Sequence, residues 1–209
     1  DAFKNDVIVP TLAEISIPIT SGLPDSINKL NRFVYRYGVE YVKALYQEGG
    51  WEKVNEAYMN PPSTTEQIIH PEKYFAQEDA LTVKAPHIND GWSLKKSDRL
   101  GEYLIFVMLD NWLSENEADV AATGWGGDTI NYFEKDDDFL FTWNIVWDSK
   151  DDAHEFYITF QEMMYKTSAE KQNCSHWFAY GRYLSIQWNE NSTLIVSSTD
   201  ETLVQQPFR

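Results

Sequence analysis

Apolar residues recur along the chain with two different periods, and the change of period divides it. From Ile27 the apolar positions Ile27, Leu30, Phe33, Val34, Tyr37, Tyr41 and Leu45 fall three or four residues apart as far as Gly49. That spacing lines one face of an α-helix, with Asp25 or Ser26 as its N-cap. Gly49-Gly50 suits its end, since glycine turns into left-handed backbone without a Cβ penalty. Trp51, Val54 and Tyr58 repeat the spacing over a short second helix and are predicted to face inward. Pro61-Pro62 stops it, because proline has no N–H and its ring clashes with the preceding turn. Ser63-Thr64-Thr65-Glu66 reads as a capping box, with Ser63 accepting from the Glu66 N–H and Glu66 reaching back. Ile68 and Ile69 form the buried side of a third helix, and Pro71 closes it by pushing His70 towards extended backbone.

Ala80 to Ile88 alternates Leu81, Val83 and Ala85 and predicts a strand that Pro86 confines to an edge, with Trp92 to Lys96 continuing it. Ser97 or Asp98 then caps a long helix whose inner face holds Leu100, Tyr103, Leu104, Val107, Met108 and Trp112, with Glu102 among them. Ser114-Glu115-Asn116-Glu117 is a second capping box, opening a short helix that Gly124 ends.

From Thr129 the period becomes two. Ile130 and Tyr132 mark a strand, Lys135 to Asp138 an acidic turn, and Phe139 to Trp147 a long strand. Ser149 and Asp152 cap a helix carrying Ala153, Phe156, Tyr157, Phe160 and Met164 on one side. Thr167 to Ser175 reads as a polar loop, Gly181-Arg182 as a hairpin turn between two strands, and Leu194 and Val196 as a last strand. The expected fold is therefore α+β: a helical N-terminal part packed on a small antiparallel sheet with one covering helix. Residues 1–24 read as an extended arm, 25–125 as the mainly helical part and 126–209 as the α+β part, together one compact body.

One set of residues is dense in structural punctuation: Gly49-Gly50-Trp51, Pro61-Pro62-Ser63-Thr64, Glu66-Gln67-Ile68 and His70-Pro71-Glu72-Lys73-Tyr74. A second follows in Gly124-Trp125-Gly126-Gly127-Asp128, Trp147-Asp148 and Asp151-Asp152-Ala153. In this order the motifs resemble an uncharacterised bacterial and archaeal family of secreted or membrane-anchored proteins. They resemble in particular the C-terminal part of metallopeptidase-like proteins of the H-E-x-x-H type, whose metal motif lies upstream. No such motif stands in this chain; in His154-Glu155-Phe156-Tyr157-Ile158 the second ligand position is Ile158. The resemblance therefore implies no zinc ligand here, and Gly49, Gly50, Trp51, Pro62, Glu66, His70, Pro71, Tyr74, Trp125, Gly126, Gly127 and Asp128 are read as structural motif positions.

Charge changes the picture of partners. Against 33 Asp and Glu stand 17 Lys and Arg, a formal net charge of -16. Nucleic acid and anionic membrane surfaces, which are bound through clustered cations, are excluded as expected partners. No apolar run reaches the ~20 residues of a membrane span. The single cysteine, Cys174, allows no internal disulfide and lacks a protease signature beside His176. Two N-x-[ST] sequons, at Asn173 and Asn191, are candidate glycosylation sites. With the absent initial Met they point to an extracytoplasmic protein from which a leader or a larger N-terminal part has been removed.

Candidate chemistry is sparse. Gly124 to Asp128 is neither a dinucleotide fingerprint nor a P-loop and enters a strand; Trp125 is expected to plug the core there. Asp136 to Asp138 lacks the rest of a calcium loop and reads as a solvated hairpin tip. His70, His87, His154 and His176 show no metal-ligand spacing. Glu102 is either a general acid or base or a structural partner of Arg32 or Arg36. No catalytic residue, metal ligand or cofactor is assigned. The expected function is a non-catalytic extracytoplasmic accessory or interaction module, whose partner is a protein or a missing N-terminal region. Two other readings stand beside it: a hydrolase whose site assembles from Glu102, His70, His154 or Asp128, and a protein that binds a glycan with its 8 Trp and 12 Tyr.

Overall fold

A computed structural model describes residues 25–205 apart from 87, 89, 90 and 137, so the arm expected over 1–24 lies outside the described residues. The fold is α+β, as the change of period requires. Helix α1 (Asp25–Met59) leads, bent at Gly49-Gly50, followed by the short helices α2 (Thr65–Ile69) and α3 (Pro71–Phe75). Strand β1 (Ser93–Asp98) precedes α4 (Glu102–Asp110) and α5 (Glu115–Ala122). Then come β2 (Trp125–Lys135), β3 (Asp138–Trp147), α6 (Lys150–Lys166), β4 (Glu170–Asn173), β5 (His176–Ala179), β6 (Arg182–Asn189), β7 (Ser192–Ser198) and α7 (Glu201–Val204).

The strands form one antiparallel sheet in the order β1-β2-β3-β7-β6-β5-β4. Two meanders are joined by α6, and the second returns so that β7 lies beside β3, with Trp143 opposite Ile195. One sheet face carries Trp143, Ile145, Trp147, Ile186 and Ile195, which share a core with α4, α5 and the Phe156, Phe160 and Met163 side of α6. The other carries Phe133, Leu140 and Val196 under Val204 of α7 and the Ala85, Ile88 and Trp92 side chains. A third cluster, Tyr41, Leu45 and Val54, fills the inside of the α1 bend against Ile68 and Tyr74.

Several local expectations are corrected. The sheet has seven strands and is not small: β1 joins it, and Glu170–Asn173, expected in a polar loop, pairs as an edge strand with every residue exposed. A polar, charged edge strand hides in a loop-like sequence because it buries no alternating face. No strand forms at 80–86; Leu81 instead donates its N–H to the Gly126 carbonyl at 2.7 Å as the chain crosses the start of β2. Thr64, not Ser63, caps α2 by accepting from the Gln67 N–H at 3.1 Å, and Glu66 turns away to Lys73. Helix α4 begins at Glu102, not near Ser97, because Gly101 turns at φ 78 in front of it. Trp51, Tyr58 and Trp112, expected inside, are 55%, 82% and 45% exposed. The bend at Gly50 rotates the segment after it, so only Val54 of that face reaches the core.

Candidate functional site

The two motif sets, far apart in sequence, meet at one place. The elbow between α2 and α3 is built by Gln67, which accepts from the Ser63 N–H at 2.7 Å and donates to the Glu78 carbonyl at 2.7 Å. Pro71 occupies the first turn of α3, where its missing N–H costs no helical bond. The elbow thereby turns Glu66, His70 and Lys73 towards α4 and the end of β3. Tyr74 points the other way, its hydroxyl donating to the Asn60 carbonyl at 2.7 Å.

Lys73 is the centre. Its ammonium lies 2.6 Å from Asp148, 2.7 Å from Glu66 and 2.9 Å from Glu78. Oxygens of those three carboxylates lie within 4.8 Å of one another, the spacing of a cation site. The Lys73 ammonium, within hydrogen-bond reach of all three, supplies the positive charge. Burial alone would lower its pKa, but the bonds to Asp148, Glu66 and Glu78 outweigh that and hold it protonated. Glu66 is 2% exposed. Burial pushes its carboxyl up to about 7 against the pull of Lys73.

Beside this group, His70 Nε2 lies 2.8 Å from Glu102 Oε1. The bond to Glu102 raises the His70 pKa against burial, and burial raises that of Glu102 against His70. The second Glu102 oxygen is buried without a hydrogen-bond partner among the described residues. Glu102 therefore has a structural partner, though not the arginine expected: Arg36 pairs with Glu115 at 2.6 Å.

Asp128 anchors the sheet side. Its carboxylate accepts from the Leu100 and Gly101 N–H groups at 3.0 Å each, from Trp125 Nε1 at 3.0 Å and from Trp143 Nε1 at 2.9 Å. Trp125 is fully buried, as its role as a plug requires. Gly126 and Gly127 let the 81–82 backbone pass: a Cβ on Gly127 would stand 2.4 Å from the Leu81 carbonyl oxygen.

Of the four residues considered for a hydrolytic site, His70 and Glu102 are joined. Asp128 is spent on four donors one residue before Glu102. His154 lies apart on the exposed side of α6, its ring 4.5 Å from that of Trp188. The larger polar cleft, about 600 Å³, lies on the Tyr74 side between Lys53, Glu56, Pro61, Ser63, Gln67 and Asp79. The sequence gave no sign that Lys73, Glu78 and Asp148 would meet: Lys73 and Asp148 were legible only as members of separate motifs. Asn173 is exposed at the end of β4, and Asn191 lies in the β6–β7 turn, donating to the Trp147 carbonyl at 3.3 Å.

No helix among the described residues is long and apolar enough to cross a membrane. No curated protein and no solved structure matches the chain. Residues 91–206, which include Glu102, Asp128 and Asp148 but neither His70 nor Lys73, match a family model described as a domain of unknown function (DUF8575). By that match over more than half its length, the chain belongs to this uncharacterised family.

Proposed function

We propose that this protein is a non-catalytic interaction module working outside the cytoplasm, and that it docks through the outer side of the first half of α1. One observation carries this reading. Ile27, Leu30 and Val34, spaced to share one helix face, are 40%, 36% and 67% exposed, with Tyr35 at 47% beside them. The opposite side already has its core: the rings of Phe33 and Tyr37 lie 4.4 Å and 5.5 Å from that of Tyr103. A helix needs one apolar face to join its own fold, and a second marks a surface that something else covers. The suited occupant is a protein, either a separate partner or an upstream part of a longer polypeptide. The resemblance to metallopeptidase-like proteins with their metal motif upstream supports the second source. The net charge of -16 argues against nucleic acid or anionic lipid as the occupant.

The titratable groups support a non-catalytic role. Lys73 gives its three donors to three carboxylates and Asp128 accepts from four, so both act as staples between the helical elbow, α4 and the sheet. Two sequons support the extracytoplasmic setting. A photoreactive side chain placed at Val34 in cells that make the protein is expected to give one discrete protein adduct. The same group at Tyr180, which is 83% exposed, is expected to give none. Absence of an adduct at position 34 would set the reading aside.

A hydrolase is the second reading, favoured by the contact of His70 with the buried Glu102. Hydrolysis of any member of a peptide and ester panel by the wild-type chain, lost in Glu102→Gln, would replace the first reading. A glycan site has less support, because the exposed indoles Trp51, Trp112 and Trp188 sit on different elements.

A further inference from the structure

The face of the sheet under α4 and α6 is not fully closed. Between the two helices runs a groove of about 390 Å³ with Leu104 and Met108 of α4 on one wall and Phe160, Met163 and Met164 of α6 on the other. Its floor is Ile130, Phe141, Trp143, Leu184 and Ile195, and every residue that lines it is apolar. A second, smaller cavity extends it past Leu100, Ile130 and Phe141 towards Tyr132. Such a groove open to water leaves apolar surface in contact with solvent on the side where the protein has its main core.

We infer that the occupant of this groove is a segment of the same chain, Leu12 to Leu23. Three observations lead there. The first is where the described chain starts. Lys29, in the second turn of α1, pairs with Asp110 at 2.6 Å and donates to the Asp110 carbonyl, and its own carbonyl accepts from the Tyr103 hydroxyl at 2.6 Å. The beginning of α1 is thus pinned to the C-terminal end of α4, two residues beyond the groove wall at Met108.

The second is reach. Nine-residue α4 is about 13 Å long at 1.5 Å per residue, a distance that about four extended residues span. The twelve residues Leu12 to Leu23 are more than enough to run from Asp25 along the whole wall.

The third is pattern. Ile15, Ile17 and Ile19 alternate with Ser16, Pro18 and Thr20. An extended segment with that alternation presents aliphatic side chains to one side and polar groups to the other. A half-open apolar groove accepts such a segment with its polar side in water. Pro18, which cannot donate to a ladder, is no obstacle on the face of a sheet. A charged headgroup has no counterpart within the groove itself, which disfavours a fatty acid or phospholipid. This docking is independent of the partner proposed for the outer face of α1.

The full-length chain tests it. In a Cys174→Ser background, a cysteine pair Ile17→Cys and Met163→Cys is expected to form an intramolecular disulfide under a mild redox buffer. The pair Ile17→Cys and Tyr180→Cys is expected to remain reduced. Equal crosslinking of both pairs, or of neither, would overturn the inference. An apolar-site dye gives an independent reading without altering the groove. The wild-type chain is expected to leave the dye dark, and Ile15→Asp with Ile17→Asp to turn on a blue-shifted emission. Equal dye binding by both chains, or saturable binding of a fluorescent fatty acid by the wild type, would show that the segment does not fill the groove.

Discussion

Asp128 shows how one carboxylate can hold three elements. Its two oxygens accept from the backbone just before α4 and from two buried indoles of the sheet. Bonds to an ionised acceptor are the stronger kind, and removing one leaves a buried donor unsatisfied. Asp128→Asn would turn an amide NH2 towards at least one of these donors, with an expected loss of roughly 2–4 kcal/mol in denaturant unfolding. Lys73 is the charged counterpart. Lys73→Met would leave Glu66 buried beside Asp148 and Glu78 with no cation, an expected loss of about 3–5 kcal/mol. Adding Glu66→Leu to that variant removes the stranded charge and is expected to restore much of the stability. A double-mutant cycle in urea reads the coupling; purely additive losses would show that the pair contributes nothing beyond its separate contacts. Part of this was legible: Asp128, Glu66 and His70 stood out as motif positions. Their partners were not, since Lys73 and Asp148 are 75 residues apart and only the folded chain brings them to 2.6 Å.

Among the elements, α1 is the one whose shape rests on a single backbone angle. Gly50 has φ 64 and ψ -154, a region that side chains with a Cβ essentially do not occupy, whereas Gly49 has φ -157, which any residue adopts. Gly50→Ala is therefore expected to lower stability by about 1–3 kcal/mol, and Gly49→Ala by less, as read by thermal unfolding of the two variants. Equal losses would mean that the bend is tolerated for reasons other than glycine at position 50. The bend also explains why the period of Trp51, Val54 and Tyr58 misled. Helical spacing tells which residues share a face, and the turn at Gly50 decides where that face points. Similarly, the fully exposed β4 carries no period-two signal, because a strand that buries neither side has nothing to alternate.

For the whole molecule, the buried acid and imidazole groups set a direction for stability against pH. His70, Glu102 and Glu66 all hold protons more tightly in the folded chain than the ordinary His value of 6.5 and Glu value of 4.5. The stabilising share of His70 is complete below 6.5 and is lost as pH rises through its raised value. That of Glu66 is complete below 4.5 and fades as pH passes about 7. Over this window the folded state binds more protons than the unfolded one, so stability falls as pH rises. Self-repulsion in a chain of net charge -16 acts in the same sense. The urea midpoint is expected to be lower at about pH 8 than at about pH 5, and the difference to shrink in Glu66→Gln. A midpoint that climbs with pH would refute the linkage. A Val34→Asp variant, by contrast, is expected to leave the midpoint unchanged while abolishing the adduct at the α1 face, since Val34 is 67% exposed.

The amino-acid sequence by itself determined the α+β class, the positions of the long helices, the strand run from Thr129 to Trp147 and the acidic surface. These follow from local periodicity, from proline and glycine chemistry and from charge counts, none of which needs a partner far along the chain. Only the tertiary structure decided the seven-stranded order, the seating of Lys73 among three carboxylates, the spending of Asp128 on two indoles and the apolar faces left open. Each of those depends on which distant segments lie side by side. Sheet order, ion pairing and burial are properties of contacts between elements, and the spacing within any one element does not encode them.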